Sequence, residues 1–405
     1  MEQSPLATNL PPARRKQALL LLFGVVLMIM IGFSVLFPVE AYYVKQFGAD
    51  ARTMGFVTAI YSFMQFLFAP VWGRLSDRVG RRPILMIGLV GFILGQTLFG
   101  LATSVWMLFL ARGLAGVLSA AALPTAMAYI ADITAPEERA RGMGLIGAAF
   151  GLGVIIGPGI GGLLGDLFLA LPFFVSAGLA ALNLVGVALL LPESLPPEAR
   201  TGHAEGKRSR WSAFSWEIAA LFGVTLALSL GMTGIEVTFG FFAADRLGLA
   251  ANQVGWVFAT MGVVASIVQG FLVGQVQKRI GEARMTLVGL LLGALGMLGV
   301  AFSQSPVAAT AAICLLAAGT GLARPANSAL ISRRAPGGQG VAIGLMDSFD
   351  SLGRIGGPVL GGSLYKIGLT LPYVSGAAMF TIALALSLGW SLSAGILTRQ
   401  AASPD

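Results

Sequence analysis

The pattern that most limits what this chain can become is the recurrence of apolar runs about 20 residues long, enough for a helix to cross a bilayer core. Twelve are read, near residues 18–39, 54–73, 83–102, 105–129, 141–165, 171–191, 215–243, 252–275, 284–302, 306–331, 338–365 and 370–396. Only 11% of the 405 residues are charged while 56% are hydrophobic, a balance that excludes an ordinary water-soluble enzyme. The expected fold class is therefore all-α integral membrane, with 12 transmembrane helices. The first run is expected to stay as a span, because no small-residue cleavage site follows it and the pattern repeats downstream.

A net charge of +8 invites a nucleic-acid reading, but its distribution rejects it. With both ends on one side of the membrane, nineteen of the twenty-six Lys and Arg fall on that side. They cluster in Arg14–Lys16, Arg74–Arg82, Arg139–Arg141, Arg200–Arg210, Lys278–Arg284 and Arg333–Arg334, with Arg399 near the end. Lys45, Arg52, Arg246 and Lys366 lie on the other side, and Arg112, Arg324 and Arg354 lie within spans. This asymmetry places both termini in the cytoplasm of a plasma (inner) membrane, and makes the bilayer rather than nucleic acid the partner. One cysteine, Cys314, and one histidine, His203, provide neither a disulfide framework nor a Cys/His metal site. No GxxxxGK[ST] loop occurs, which argues against ATP-driven work.

Residues 192–214 interrupt the apolar pattern with Pro192, Pro196, Pro197 and several charges, and are read as a cytoplasmic linker between bundles at 1–191 and 215–405. The two halves repeat at an offset of about 200. Gly73–Gly80 matches Gly274–Gly281, and Gly157-Pro158-Gly159-Ile160-Gly161-Gly162 matches Gly357-Pro358-Val359-Leu360-Gly361-Gly362. Parallel repeats of six spans imply two bundles that rock about a central site. The stretch Gly147–Gly162 carries Gly147, Gly151, Gly153, Gly157, Gly161 and Gly162 on about half of a helical cylinder, with Pro158 among them. Each interior glycine gives up about 1 kcal/mol of helix propensity relative to alanine, a loss that close backbone-to-backbone packing in lipid can offset.

The loop Gly73-Arg74-Leu75-Ser76-Asp77-Arg78-Val79-Gly80-Arg81-Arg82-Pro83 resembles the signature loop of the major facilitator superfamily. Leu108, Arg112, Gly116, Ala120 and Ala121 resemble its fourth-span motif, and Gly147–Gly162 its fifth-span antiporter motif. Pro124, Ile130-Ala131-Asp132-Ile133 and Arg324-Pro325 make the resemblance nearest to the NorA-type and Bmr-type multidrug/proton antiporters. The resemblance implies that Asp77 and Arg78, in the loop that also holds Gly73 and Arg81, latch the bundles on the cytoplasmic side; Asp132, Arg139 and Arg141 at the next cytoplasmic corner are read as latch partners or as a solvated loop. The resemblance also ties Arg112 to proton transfer. A loop that only sets topology, and an arginine that only glues helices, remain the alternatives. Gly73 is expected at a close helix crossing, and Asp77 at a helix N-terminus, where an anion is worth about 0.3–1 kcal/mol.

Ionisable residues inside spans are costly and point to function. Glu236 shares about 80° of arc with Thr225, Ser229 and Thr233, a polar stripe that suits a cavity wall. By resemblance, its context before Phe239, Phe241, Phe242 and Asp245 is that of a proton-coupling glutamate. Asp347, Asp350 and Arg354 cover about 60° of the next-to-last span on its glycine face. The i,i+4 spacing pairs Asp350 with Arg354 and leaves Asp347 outside that pair. These acids stand either in place of an aspartate that NorA-type pumps carry where this chain has Gly321, or in a structural salt bridge. Glu40 shares a face with Phe33 and Phe37, serving either cation recognition or the interface. Tyr61, Gln65, Phe150, Phe239, Arg324, Asn327 and Phe349 complete the candidate substrate contacts, although a membrane phenylalanine is more often packing than pocket.

Together these readings describe a monomeric, proton-coupled antiporter that exports amphipathic, cationic or zwitterionic small molecules. It has no enzymatic activity, metal or cofactor, and only a proton gradient drives it. Alternatives are an exporter of one sugar, metabolite or antibiotic, a lipid or lysolipid translocator, or a non-transporting sensor.

Overall fold

The computed structural model describes residues 12–134, 136–197, 200, 215, 218–335 and 339–393, with side chains of 12–15, 136–143 and 146 excepted. The described residues are almost wholly helical: α1 (Pro12–Ser34), α2 (Phe37–Lys45), α3 (Ala51–Val79), α4 (Arg81–Gly100), α5 (Val105–Ser119), α6 (Ala122–Ile133), α7 (Pro136–Leu167), α8 (Leu171–Leu190), α9 (Ala219–Leu247), α10 (Ala251–Ile267), α11 (Val273–Phe302), α12 (Pro306–Arg334), α13 (Gln339–Ile367) and α14 (Leu371–Ser393). A π-helical turn, Val268–Leu272, joins α10 to α11.

Prolines explain why two crossings are each written as two helices. Pro38 has no N–H for the Ser34 carbonyl, and α1 gives way to α2 there. Pro124 likewise leaves the Ala120 carbonyl without its donor, and α5 passes to α6. Ten segments are long and apolar enough to cross a membrane, and one of them, Ala251–Phe302, runs for 52 residues. That segment turns at Gly281, whose φ of 76° and ψ of 166° only glycine adopts readily, so it makes two crossings. Adding α13, which carries Asp347, Asp350, Arg354 and Lys366 and is not among the ten, gives twelve among the described residues. Gly80, with φ 119°, makes the equivalent turn between α3 and α4, as the sequence repeat requires.

Two compact units form. One comprises Met1–Gly48, Ile60–Glu205 and Ala251–Ala259; the other Ala49–Ala59, Gly206–Ala250 and Thr260–Asp405. Each unit thus takes most of one sequence half and the first turns of a helix from the other. In the first, α1 packs on α7 and α8, and α4 on α5, α6 and α8. Leu22, Leu85, Tyr129 and Ile130 fill its core. In the second, α9 packs on α13 and α14, and α11 on α12 and α14, around Phe222, Leu330, Ile331 and Trp390. Most of the linker at 192–214 lies outside the described residues.

The glycine stretches set the closest contacts in both units. A methyl group at Gly161 would strike the Val35 carbonyl just past α1, and one at Gly361 would stand 2.9 Å from Gly234 Cα of α9. Ser34 Oγ donates to the Gly153 carbonyl at 2.8 Å, and Thr233 Oγ1 donates to the Gly353 carbonyl at 3.2 Å. A hydroxyl on the first helix of each unit therefore clasps the glycine-rich helix at repeat-related positions. The exchanged ends use the same stretches. A methyl at Gly255 would lie 2.6 Å from the Pro158 carbonyl, and one at Gly162 2.8 Å from Asn252 Cα. In the other unit, Gly55 abuts the Pro358 carbonyl and Gly362 the Ala51 carbonyl. Asp50 caps α3 by accepting from Thr53 N–H and Thr53 Oγ1, both at 2.8 Å, and pairs with Lys366 at 3.2 Å. Burial pushes its carboxyl up, but these donors outweigh burial and hold it below its ordinary value.

Alanine at Gly161 or Gly357 should lower the thermal unfolding midpoint of purified protein, since each methyl meets a backbone carbonyl, at a cost of about 1–3 kcal/mol. Alanine at Gly147, where a methyl meets nothing, should be neutral or gain up to about 1 kcal/mol. Leucine at Gly157 or Gly357 should impair transport more than membrane insertion, measured as uptake against abundance in the membrane fraction.

Candidate functional site

Charged side chains inside the spans gather in one group in each unit. In the first unit Glu40 of α2 forms an ion pair with Arg112 of α5, both nearly buried. The guanidinium also lies 4.7 Å from the Phe99 ring centroid and 5.7 Å from that of Tyr61. Arg112 Nε is buried without an acceptor among the described residues. Tyr61 extends the group: Gln65 Nε2 donates to its hydroxyl at 2.8 Å, and Ser119 Oγ lies 3.2 Å from it. Phe33 and Phe37 meet edge to face at 5.2 Å. The structure thus joins Glu40, Tyr61, Gln65 and Arg112, which sequence reasoning had named separately. Phe150 is set apart, 48% exposed on α7.

In the second unit Asp350 of α13 is the hub. It accepts from Ser229 of α9, pairs with Arg354 at 3.4 Å, and lies 3.7 Å from Arg324 of α12. Arg324 Nη2 also donates to Ser229 Oγ at 3.2 Å. The i,i+4 pair expected from spacing is therefore present, with Arg324 as an unforeseen third member. Glu236 of α9 feels Arg324, Arg354 and Asp350 as its neighbouring charges. Asp347, one turn before Asp350, is itself engaged. Gly353 makes this junction possible, since a methyl there would strike Ser229 Cβ.

Three candidate substrate contacts are taken up in packing. Phe239 is fully buried, 6.4 Å from Phe242. Phe349 stacks on Phe222 at 5.3 Å. Asn327 donates to the Leu221 carbonyl at 3.0 Å and to Thr225 Oγ1 at 2.9 Å, which ties α12 to α9.

The signature loop makes a second, polar cluster. Arg81 donates to Asp77 at 2.6 Å, to Ser76 at 2.9 Å and to Asp132 at 3.0 Å. Ser194 Oγ donates to Asp132 at 3.0 Å. Two expectations are corrected. Glu193, not Asp77, meets a helix N-terminus: it accepts from the N–H of Arg81 at 2.7 Å and of Arg82 at 3.2 Å. Asp77 instead turns to Arg81, one helical turn away in sequence. Nor does Gly73 mark a close crossing, because a methyl there would meet nothing. Arg78 is exposed, and the Arg139 side chain lies outside the described residues.

The repeat returns this contact with its charges inverted. Glu282 stands where Arg81 does and pairs at 2.9 Å with Arg333, which stands where Asp132 does. Both positions are 201 residues on, an alignment that could have found the pair in the sequence. Glu193 carried no such signal.

Twelve crossings in two repeated units, with ion pairs held inside the spans, are the build of a multi-pass membrane transporter. The chain belongs to the Major Facilitator Superfamily, whose family profile matches residues 22–222 and 221–399. It is 33% identical over 392 residues to the class C tetracycline resistance protein of Escherichia coli, covering 93% of this chain and 98% of that one. It is 29% identical over 384 residues to multidrug resistance protein 2 of Bacillus subtilis, covering 93% and 96%. Among solved structures it superposes on a bacterial homolog of the human lysosomal transporter Spinster, inward-facing and occupied, with a TM-score of 0.79. That likeness spans 94% of this chain and 98% of the other at 18% identity, and reports the fold alone.

Glu40→Gln should destabilise the protein by about 3–5 kcal/mol, because it strands the Arg112 charge. Glu40→Gln combined with Arg112→Met should recover much of that loss. Thermal unfolding of the single and double variants in detergent checks this.

Proposed function

We propose that this protein is a proton-coupled antiporter that exports amphipathic, cationic or zwitterionic drug-like compounds by alternating access. The observation that carries the reading is the group around Asp350, which pairs with Arg324 and Arg354 inside the spans, with the carboxylate of Glu236 on the polar stripe of α9 within the field of all three. Such an arrangement suits a site where gain or loss of one proton redistributes ion pairs among three helices. A proton arriving at Glu236 would remove a negative charge from the field of Arg324 and Arg354 and strengthen their hold on Asp350, and substrate would bind the deprotonated form. Arg112 and Glu40 provide a second switchable pair in the other unit. The multidrug resistance relative supports the substrate class.

The topology that goes with this reading puts both termini in the cytoplasm of the inner membrane, the side that bears the basic loops. The Asp77–Arg81–Asp132 cluster then lies at the cytoplasmic end, where a latch would act. The working unit is a monomer.

A narrower reading, export of one antibiotic, is favoured by the 33% identity to a tetracycline resistance protein. Competition separates the two: structurally varied lipophilic cations inhibit transport under the first reading and leave it untouched under the second.

In proteoliposomes, Glu236→Gln should abolish substrate-driven proton movement while leaving substrate binding within about threefold of wild type. Normal coupling in this variant would remove Glu236 from the mechanism. Deletion of the proton gradient with an uncoupler should stop uphill export by the wild type.

A further inference from the structure

A groove of about 680 Å³ opens beside the start of α4, in the first unit, lined by none of the residues of the two ion-pair groups. Its wall is Met86, Ile87 and Val90 of α4 with Leu118 of α5, and Arg82 and Arg200 stand at its mouth. From Arg82 to Val90 the helix rises about 12 Å, so the wall runs from the charged end of the bundle into the apolar zone. Val90 is 39% exposed, which leaves the groove open on its bilayer side.

The electrostatics of the mouth favour an anion. Glu193 also lines the groove, but it accepts from the N–H groups of Arg81, Arg82 and Leu195, so its charge is spent on the helix end and the adjoining turn. Arg82 donates to the Ala188 carbonyl, and its side chain lines the groove. Arg200 donates from Nε to the Leu195 carbonyl at 3.1 Å, and its Nη2 lies beside Gly80 in the same space as the Glu193 carboxylate. Two guanidinium groups above a strip of aliphatic surface match a phosphate carrying an acyl chain. Free phosphate would leave the strip bare, and an uncharged lipid would leave the arginines unmet.

We propose that this groove is a binding site for an anionic phospholipid, with its phosphate on Arg82 and Arg200 and one acyl chain along Met86, Ile87 and Val90. Because Glu193 binds Arg81 through its backbone, and Arg81 binds Asp77 and Asp132, the lipid sits one residue from the signature-loop cluster. Its occupancy would steady that corner. The site is independent of what the transporter exports and of which way it faces in the membrane.

The test is native mass spectrometry of the full-length protein released from micelles containing equimolar phosphatidylglycerol and phosphatidylcholine. Wild type should retain phosphatidylglycerol preferentially, and Arg200→Gln and Arg82→Gln should each cut that preference about fivefold. Ile87→Trp, which fills the groove without altering charge, should reduce tightly held lipid of both kinds. If Arg82→Gln fails to fold, Arg200→Gln carries the test, since the Arg200 side chain donates to the Leu195 carbonyl alone among the described residues. The proposal is overturned if Arg200→Gln keeps the wild-type preference. It is equally overturned if Arg74→Gln, on an exposed arginine outside the groove, lowers the preference as much, or if millimolar inorganic phosphate displaces the lipid.

Discussion

Close approach of a glycine-bearing helix to the first helix of its unit is the contact on which the rest of the structure depends. At Gly161 in one unit and Gly361 in the other, backbone meets backbone, while Gly157 and Gly357 leave room for the Ser34 and Thr233 hydroxyls. Apolar surface in a membrane gains nothing by leaving lipid for protein, so helices there associate through van der Waals packing and hydrogen bonds. Removing side chains serves the first. The Ser34 and Thr233 hydroxyls, donating to the Gly153 and Gly353 carbonyls, serve the second. The glycines that reduce helix propensity are thus the ones that hold the helices together.

Function is built on this same contact. Where Gly353 lets α13 settle on α9, Ser229 comes within reach of Asp350, and Asp350 gathers Arg324 and Arg354. The first unit spends its equivalent contact on Ser34 alone, and places its ion pair elsewhere, between Glu40 and Arg112. Repetition has therefore preserved the packing while the charges diverged. The Arg81–Asp132 pair and its inverted counterpart Glu282–Arg333 make the same point at the loop ends. Attraction survives exchange of sign, so the geometry is kept although neither residue type is.

The membrane accounts for the division between what is exposed and what is satisfied. Large apolar side chains such as Leu189 and Val307 face outward because their solvent is lipid, whereas Glu40, Arg112, Arg324, Asp350 and Arg354 inside the spans are engaged with one another or with aromatic faces. An exchange of partners within such a group costs little beside the full desolvation of one charge. That difference makes the groups suited to switching.

Much of the fold was legible in the sequence by itself. Span length, the period of the repeat and the glycine faces are local properties of 20 to 30 residues, and twelve crossings in two repeated sets follow from them. The i,i+4 pair of Asp350 and Arg354 was legible for the same reason, since helix geometry fixes that distance. Tertiary structure decided the rest. That Glu40 meets Arg112, that Arg324 joins Asp350, that Glu193 rather than Asp77 caps a helix, and that Gly73 faces open space all depend on which helix lies against which. No periodicity encodes that choice. A side chain in a span has the same local pattern whether it turns to lipid, to packing or to a charge on another helix, and only the packed bundle tells these apart.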